Sequence, residues 1–287
     1  MKNVIITGSS KGFGYLAAKD FAKKGYKVWA TMRNSDTKNS IAKKELEDFS
    51  DFIRVEDMDV TDDVSVTTCI ERIIDEDKKI DILINNAGII RHGISEAISL
   101  EQAQHEMNTN YFGMIRATQA VVPSMREAER GLIINCSSQF GRLAMVFFAN
   151  YCATKFAIEA YSQVLRYELA PFGVDIALVE PSGMATNAWN PYIPEERKDI
   201  VAQYPVIKQV HQKMSESFEP LLKSDEANPQ LVADLYLKLA EADPGKRPIR
   251  SFVGMDWGTT KINELTQSIQ DSLLTTFQVD SVFAHKY

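Results

Sequence analysis

An α/β fold with a doubly wound parallel sheet of about seven strands and helices on both faces is what this 287-residue chain predicts. Three observations lead there. Short β-branched runs alternate strictly with stretches of helical spacing, the pattern of right-handed βαβ units. The first run, Asn3 to Thr7, stops at a Gly/Ser cluster, as a buried parallel strand does. No internal repeat or low-complexity linker interrupts the alternation, so one large domain sharing one core is expected.

Taken in order, Tyr15 to Lys24 shows helical spacing at Leu16, Ala17 and Phe21 and stops at Gly25, a natural C-terminal cap. Tyr26 to Thr31 reads as the second strand, residues 37–48 as a charged exposed helix, and Ile53 to Asp57 as the third strand. Thr61-Asp62-Asp63 caps a helix running to about Asp77. Ile80 to Ile84 is the fourth strand, stopped by Asn85-Asn86-Ala87-Gly88. A long helix covers Leu100 to Met125, Leu132 to Cys136 is the fifth strand, and Asn150 to Ala170 a second long helix. Gly173 to Val179 is the sixth strand, stopped by Pro181-Ser182-Gly183.

Residues 187–224 break this rhythm with Trp189, Pro191, Pro194, Tyr204 and Pro205, and carry one polar helical stretch, Val206 to Phe218. The insertion follows the C-terminal end of a strand, where open α/β sheets bind ligands, and reads as a substrate-covering lid. A helix from Pro229 to Ala242, a seventh strand from Pro248 to Val253 and an amphipathic helix from Lys261 to Leu274 complete the pattern.

Composition narrows the function. Apolar residues make up 45% and charged residues 25%, ordinary for a globular protein, and the net charge of −7 argues against a phosphate-driven nucleic-acid binder. Cys69, Cys136 and Cys152 are odd in number and lack metal-ligand spacing, so no disulfide framework, no zinc site and a reducing, cytoplasmic setting are expected. The apolar Val4-Ile5-Ile6 is cut off at Gly8, too early for a signal peptide, and no stretch approaches the roughly 20 apolar residues of a membrane span.

Thr7-Gly8-Ser9-Ser10-Lys11-Gly12-Phe13-Gly14 lies between the first strand and the first helix. Glycines there let the backbone turn sharply and approach a pyrophosphate, while the helix N-terminus offers unpaired N–H groups to the anion. That context points to a dinucleotide. Further on, Tyr151 and Lys155 are four residues apart and share one helix face. An ammonium close to a phenol favours the phenolate and brings its proton towards useful transfer near neutrality.

The spacing Thr-Gly-x-x-x-Gly-x-Gly, the Asn85-Asn86-Ala87-Gly88 stretch, the thirteen residues from Ser138 to Tyr151 and the Tyr151-x-x-x-Lys155 pair resemble the short-chain dehydrogenase/reductase superfamily over residues 3 to 186. Val28 to Arg33, Tyr151 to Ala157 and Val253-Gly254-Met255-Asp256 look most like its 17β-hydroxysteroid and retinol dehydrogenase branch. The resemblance implies a Rossmann-type fold. It also implies a nicotinamide cofactor held by Gly8, Ser10, Lys11, Gly12, Phe13 and Gly14, by the Asp59-Val60 pair at the adenine, and by Asn86, Ala87 and Gly88. Tyr151, Lys155, Pro181, Gly183 and Thr186 complete that set, with Thr186 on the nicotinamide carboxamide. One departure stands out: Ser182 follows Pro181 where the family has glycine.

No acid closes the second strand, which exits through Thr31-Met32-Arg33. Arg33, with Lys11 as a second cation, suits the 2′-phosphate of NADP(H). In chemistry, the resemblance gives Tyr151 as the proton donor and acceptor, Ser138 as the group on the substrate oxygen, Lys155 as the residue lowering the tyrosine's pKa, and Asn110 as the anchor of a water relay. The thirteen-residue spacing favours Ser138 over Ser137. Phe140, Met145, Phe148, Met184 and Trp189, with Arg142, Phe147 and Tyr192, are expected to face a mainly apolar substrate pocket, so a lipophilic or aromatic ketone, aldehyde or alcohol is the expected substrate. A sugar-nucleotide epimerase and a catalytically silent NADP(H) sensor are the rival readings. A homodimer or homotetramer is implied by resemblance, through the outer face of the Tyr151 helix at Phe156, Ala160, Val164 and Tyr167.

Overall fold

The structure, a computed structural model, describes residues 1–186 and 197–279. Seven strands form one parallel sheet: β1 Asn3–Thr7, β2 Lys27–Met32, β3 Ile53–Asp57, β4 Ile82–Asn85, β5 Gly131–Cys136, β6 Val174–Pro181 and β7 Arg250–Val253. Their spatial order is β3-β2-β1-β4-β5-β6-β7, so the winding reverses between β1 and β4. That switch point opens a crevice beyond the strands' carboxyl ends, the place where such sheets hold ligands.

The alternation seen in the sequence becomes two apolar layers. In β1, Val4 and Ile6 point to one face and Ile5 to the other, as the period of two requires. The first face is covered by α1 Gly12–Lys23, α2 Ser40–Phe49 and α9 Gln230–Glu241, through Phe21, Leu46 and Tyr236. The second is covered by α3 Asp63–Asp77, α5 Gly113–Glu127 and α6 Ala149–Leu169, through Ile73, Val121 and Leu165. Asp62 caps α3 by accepting the Ser65 N–H at 2.7 Å. Gly25 takes a left-handed φ of +81° directly after the α1 cap, a conformation glycine adopts without a Cβ clash.

The expected helix from Leu100 to Met125 is interrupted. It runs as α4 Leu100–Met107, a π-helical turn at Asn108–Phe112, and then α5. The Gly113 N–H reaches back five residues to the Asn108 carbonyl. Single π turns inside α-helices are uncommon and concentrate at functional sites. Beyond β6, a short helix α7 Lys198–Val201 precedes α8 Pro205–Leu221, somewhat longer than the stretch read from the sequence. Helix α10 Thr259–Thr276 ends the described fold beside β7.

A buried charge cluster fastens α10 and α6 to the sheet. Arg250 of β7 donates from Nε to Glu159 at 2.8 Å and from Nη1 to Gln163 at 2.7 Å, while Asn263 of α10 donates to Glu180 at 2.5 Å. Glu180 is fully buried, and burial pushes its carboxyl up to about 8, with Glu159 adding to the rise. Asn263, Arg250 and Arg142 pull the other way. In the unfolded chain the same carboxyl ionises near its ordinary 4.5. The fold therefore binds more protons than the unfolded chain between those values, and its stability falls as pH rises through them. The melting temperature is expected to be lower at pH 8.5 than at pH 5.5, and Glu180→Gln to shrink that difference; an equal or larger difference in the variant, followed by circular dichroism, contradicts this account.

Candidate active site

The glycine loop is shaped by close backbone approach. Gly8 has φ +71°, and a Cβ there would lie 2.8 Å from the Ala87 Cα. A Cβ on Gly14 would lie 2.6 Å from Asn86 Nδ2 and 2.7 Å from the Gly8 carbonyl. Side chains at either position would push β1 and β4 apart at the switch point. Asn86 holds the loop from the other side, donating from Nδ2 to the carbonyls of Thr7 at 2.9 Å and Gly8 at 3.2 Å. Thr7 Oγ1 accepts the N–H groups of both Asn86 and Ala87. Asn86 is thus a brace for the loop, a role its expected backbone contact did not include.

Gly12 opens α1 with φ +60°, and a Cβ built there would meet only Thr186 Cγ2, at 3.9 Å. Thr186 therefore stands across from the loop, and the open side of Gly12 faces it. Ser10 and Phe13 are half-buried, with Phe13 packed on the core, and Lys11 is exposed at the helix N-terminus. The donor set fits a pyrophosphate-bearing dinucleotide: a glycine cradle, the first N–H groups of α1 and no carboxylate in the loop.

Arg33 is exposed just past β2, and the acids near it are engaged elsewhere. Asp57 accepts the Ser35 N–H at 2.7 Å, and Asp36 pairs with Lys43 at 2.8 Å. Asp59 spends Oδ1 on the N–H and hydroxyl of Thr61, so it shapes the turn before α3. Val60 packs against Gly113, where a Cβ would meet its Cγ2 at 2.9 Å.

Ser182, the departure from the family pattern, has a structural reason. Its Oγ accepts the Met255 N–H at 3.0 Å, and its own N–H donates to the Val253 carbonyl at 2.9 Å. A Cβ on Gly254, which has φ +105°, would sit 2.1 Å from that Oγ. Serine and glycine thus interlock, and they place the segment after β7 over the site. Pro181 ends β6 and Gly183 is buried beside it.

The residues expected to carry the chemistry lie at the N-terminal part of α6. Tyr151 and Lys155 are buried, at 8% and 5% exposure. Lys155 donates from Nζ to the Cys136 carbonyl at 2.7 Å and lies over the Tyr151 ring, 5.6 Å from its centroid. Ser138 is the serine that acts on the Tyr151 phenol, its Oγ also donating to the Pro181 carbonyl at 3.4 Å and accepting the Phe140 N–H at 3.1 Å, whereas Ser137 Oγ packs beside Gly141. The serine chosen by spacing is the one facing the tyrosine.

Burial raises the Tyr151 pKa, Cys136 adds to the rise, Ser138 opposes it, and Glu106 and Cys152 raise it further. The Lys155 ammonium is above the ring and donates to the Cys136 carbonyl. Burial also lowers the pKa of Lys155 itself, against Cys136, Glu159 and Glu106. Met184, expected in the substrate pocket, packs instead in the core layer with α9 and beside Gly254. Trp189 and Tyr192 lie outside the described residues.

Asn110 sits in the π turn at 1% exposure and is fully engaged as a donor. Its Oδ1 accepts the Ile89 N–H at 2.8 Å, and its Nδ2 donates to the Ile89 carbonyl at 2.9 Å and to Thr154 Oγ1 at 3.1 Å. The side chain clamps the segment after β4 to α6, beside Tyr151 and Lys155. Behind it runs a polar chain the sequence reading missed. Asn85 donates to Thr118 at 3.0 Å and to Asn135 at 2.8 Å, and Asn135 donates to Ser162 at 2.8 Å. Asparagines at strand ends with hydroxyls one helix away were its only sequence signal.

An aromatic wall faces the tyrosine. Phe140 and Phe148 lie 6.5 and 6.4 Å from the Tyr151 ring, and Met145, Ile94 and Ile200 of α7 pack with them. Phe147 joins the same cluster, while Arg142 turns away to Thr266 of α10. Trp257, held after β7 by the serine–glycine interlock, lies 6.4 Å from Phe140 and edge-on to Phe218 of α8 at 5.8 Å. Sequence reading omitted Trp257 because its place depends on a crossover between distant strands. A cleft of about 1060 Å³ also lies between β7 and α10, but its Arg247 and Arg250 donate to protein acceptors and it is remote from this centre.

Residues 2–197 match the family model described as short chain dehydrogenase. The chain belongs to that family. It is 38% identical to a 3-ketodihydrosphingosine reductase of Bacteroides thetaiotaomicron over 64% of each chain. To an uncharacterized oxidoreductase of Bacillus subtilis it is 34% identical, over 83% of this chain and 84% of the relative. With human retinol dehydrogenase 8 it shares 36% identity over 64% of this chain and 60% of that one, in keeping with the retinol and steroid branch. The chain thus spans less than two thirds of the length of the sphingosine-type and retinol-type relatives. Among solved structures, the NADP-bound protein ElxO matches with a TM-score of 0.72 at 25% identity, covering 91% of this chain and 99% of that one. The family uses nicotinamide cofactors; one such neighbour carries NADP and another, a 3-ketoacyl reductase of Brucella melitensis, carries NADH.

Proposed function

We propose that this oxidoreductase interconverts a lipophilic or aromatic ketone or aldehyde and its alcohol, using NADP(H). The observation that carries the reading is the joint burial of Tyr151, Lys155 and Ser138 beneath the Phe140–Phe148–Trp257 wall. An apolar wall around three polar groups is the usual make-up of a small-molecule site. Two relatives bear names for lipophilic substrates, a ketodihydrosphingosine and a retinol, which supports the same class.

The nicotinamide supplies or accepts the hydride, and the protein manages position and one proton. Burial keeps the Tyr151 phenol protonated at neutral pH, so it stands ready as the acid for a carbonyl oxygen that gains charge. Ser138, beside it, donates to the same oxygen and fixes its place. Lys155 and the N–H groups of the glycine loop would hold the cofactor's sugar and phosphates. The aromatic wall excludes water and seats the apolar part of the substrate. Phenylalanine at position 151 keeps the ring and removes the proton. Reductase kcat/KM is expected to fall by roughly a hundredfold or more, with the melting curve intact; retention of most activity refutes the mechanism.

The cofactor preference rests on Arg33 and Lys11, two exposed cations at the end of β2 and in the loop, with Asp36 and Asp57 occupied elsewhere. A guanidinium there meets a 2′-phosphate through charge-assisted bonds. Arg33→Ala should raise the NADPH KM by roughly tenfold and leave the NADH KM near its starting value. Equal loss for both cofactors speaks against the assignment.

The outer face of α6, where Phe156 and Val164 are 42% and 53% exposed, with Phe112 of the π turn at 47%, supports a homo-oligomer as part of the same proposal. Such a patch is covered by a second copy more economically than by water. Sedimentation of Val164→Glu should show monomers where the parent protein shows dimers or tetramers; a monomeric parent removes the proposal.

A further inference from the structure

Glu106, on α4 two residues before the π segment, is fully buried and plays no part in the chemistry above. Its Oε1 accepts the Arg91 N–H at 2.9 Å, and its buried Oε2 has no hydrogen-bond partner. Together with the Asn110 bonds to Ile89, this makes a ladder in which residues 89–91 are pinned rung by rung to the helix. Asn110 then passes the connection to Thr154, whose own hydroxyl donates to the Tyr151 carbonyl at 2.8 Å. A glutamate at the foot of that ladder is more than a loop anchor needs, because a glutamine would accept the same N–H without a buried charge.

We propose that Glu106 is a positioning residue for the proton-transfer pair: fixed on the Arg91 N–H one turn before Asn110, its buried carboxylate sets the field in which Tyr151 and Lys155 gain and lose protons. The proposal deepens the reductase reading and rests on it. Burial pushes the Glu106 carboxyl up to about 7, opposed by the Arg91 N–H and by the charges of Arg91 and Lys155. Its charge therefore changes in the neutral range. Once ionised, it raises the pKa of Tyr151, Cys152 and Lys155 alike. The groups around it come from three elements: Arg91 from the segment after β4, His105 beside Arg91 on α4, and Tyr151, Cys152 and Lys155 from α6. Cys136 of β5 and Glu159 of α6 act on the same pair from the other side.

The sign follows directly. With the carboxylate gone, Tyr151 releases its proton at lower pH. In Glu106→Gln, which keeps the acceptor for Arg91, the alkaline limb of kcat/KM for NADPH-linked ketone reduction should move down by on the order of one pH unit. The acid limb of alcohol oxidation should move the same way. NADPH binding, read by cofactor fluorescence, and the melting curve verify that the variant is folded and loaded. An unshifted limb overturns the proposal, as does uniform loss of activity at every pH in a folded variant. If the glutamine variant does not fold, Glu106→Leu, which also removes the carboxylate, replaces it: the limb should again move down, and a fixed limb overturns the proposal. Absence of turnover by the parent protein on every carbonyl tried overturns the reductase reading itself, which a fixed limb in an active enzyme does not.

Discussion

The Asn110 clamp is the interaction on which the rest of the site depends. One buried amide joins both polar groups of Ile89 to the hydroxyl of Thr154, and so ties the switch-point crevice to the helix carrying Tyr151 and Lys155. The crevice walls are set by sheet packing and the placement of Tyr151 and Lys155 by α6; without a rigid link, the two could drift by the ångström that separates a useful geometry from an idle one. The π turn aims that amide. An extra residue in the helix swings Asn110 inward while α4 and α5 keep their packing on either side.

The same burial that orders the centre sets its electrostatics. Tyr151 and Lys155 are both removed from water, and desolvation moves their pKa values in opposite directions, the phenol up and the ammonium down. Lys155 discharges part of its burial cost on the Cys136 carbonyl, and the polar chain Asn85–Asn135–Ser162 satisfies groups that the layer beneath could not leave bare. The apolar wall adds the last element. It is assembled from the turn after β5, the residue capping α6, helix α8 and the segment after β7, which the Ser182–Gly254 interlock holds.

Much of this was legible in the chain. Strand–helix alternation, the glycine loop and the thirteen-residue Ser138–Tyr151 spacing are local patterns, and local geometry carries them into the fold. The seven strands followed from them. What stayed hidden is non-local. The π turn at Asn108–Phe112 has no composition of its own and exists because Asn110 finds Ile89 and Thr154 across the crevice. Trp257 enters the wall through a crossover, and Met184 leaves it because the core beneath α9 takes its side chain. The partner of Lys155 was hidden for a similar reason: spacing of four places it on one face with Tyr151, but the carbonyl its ammonium meets comes from β5.

The central claim is that this buried Tyr–Lys–Ser centre reduces a carbonyl with NADPH. Its most direct measurement uses NADPH carrying deuterium at the transferring carbon, incubated with a panel of lipophilic and aromatic ketones and read by mass spectrometry. The account predicts one deuterium on the carbinol carbon of the product. Tight NADPH binding with no label in any product would contradict it.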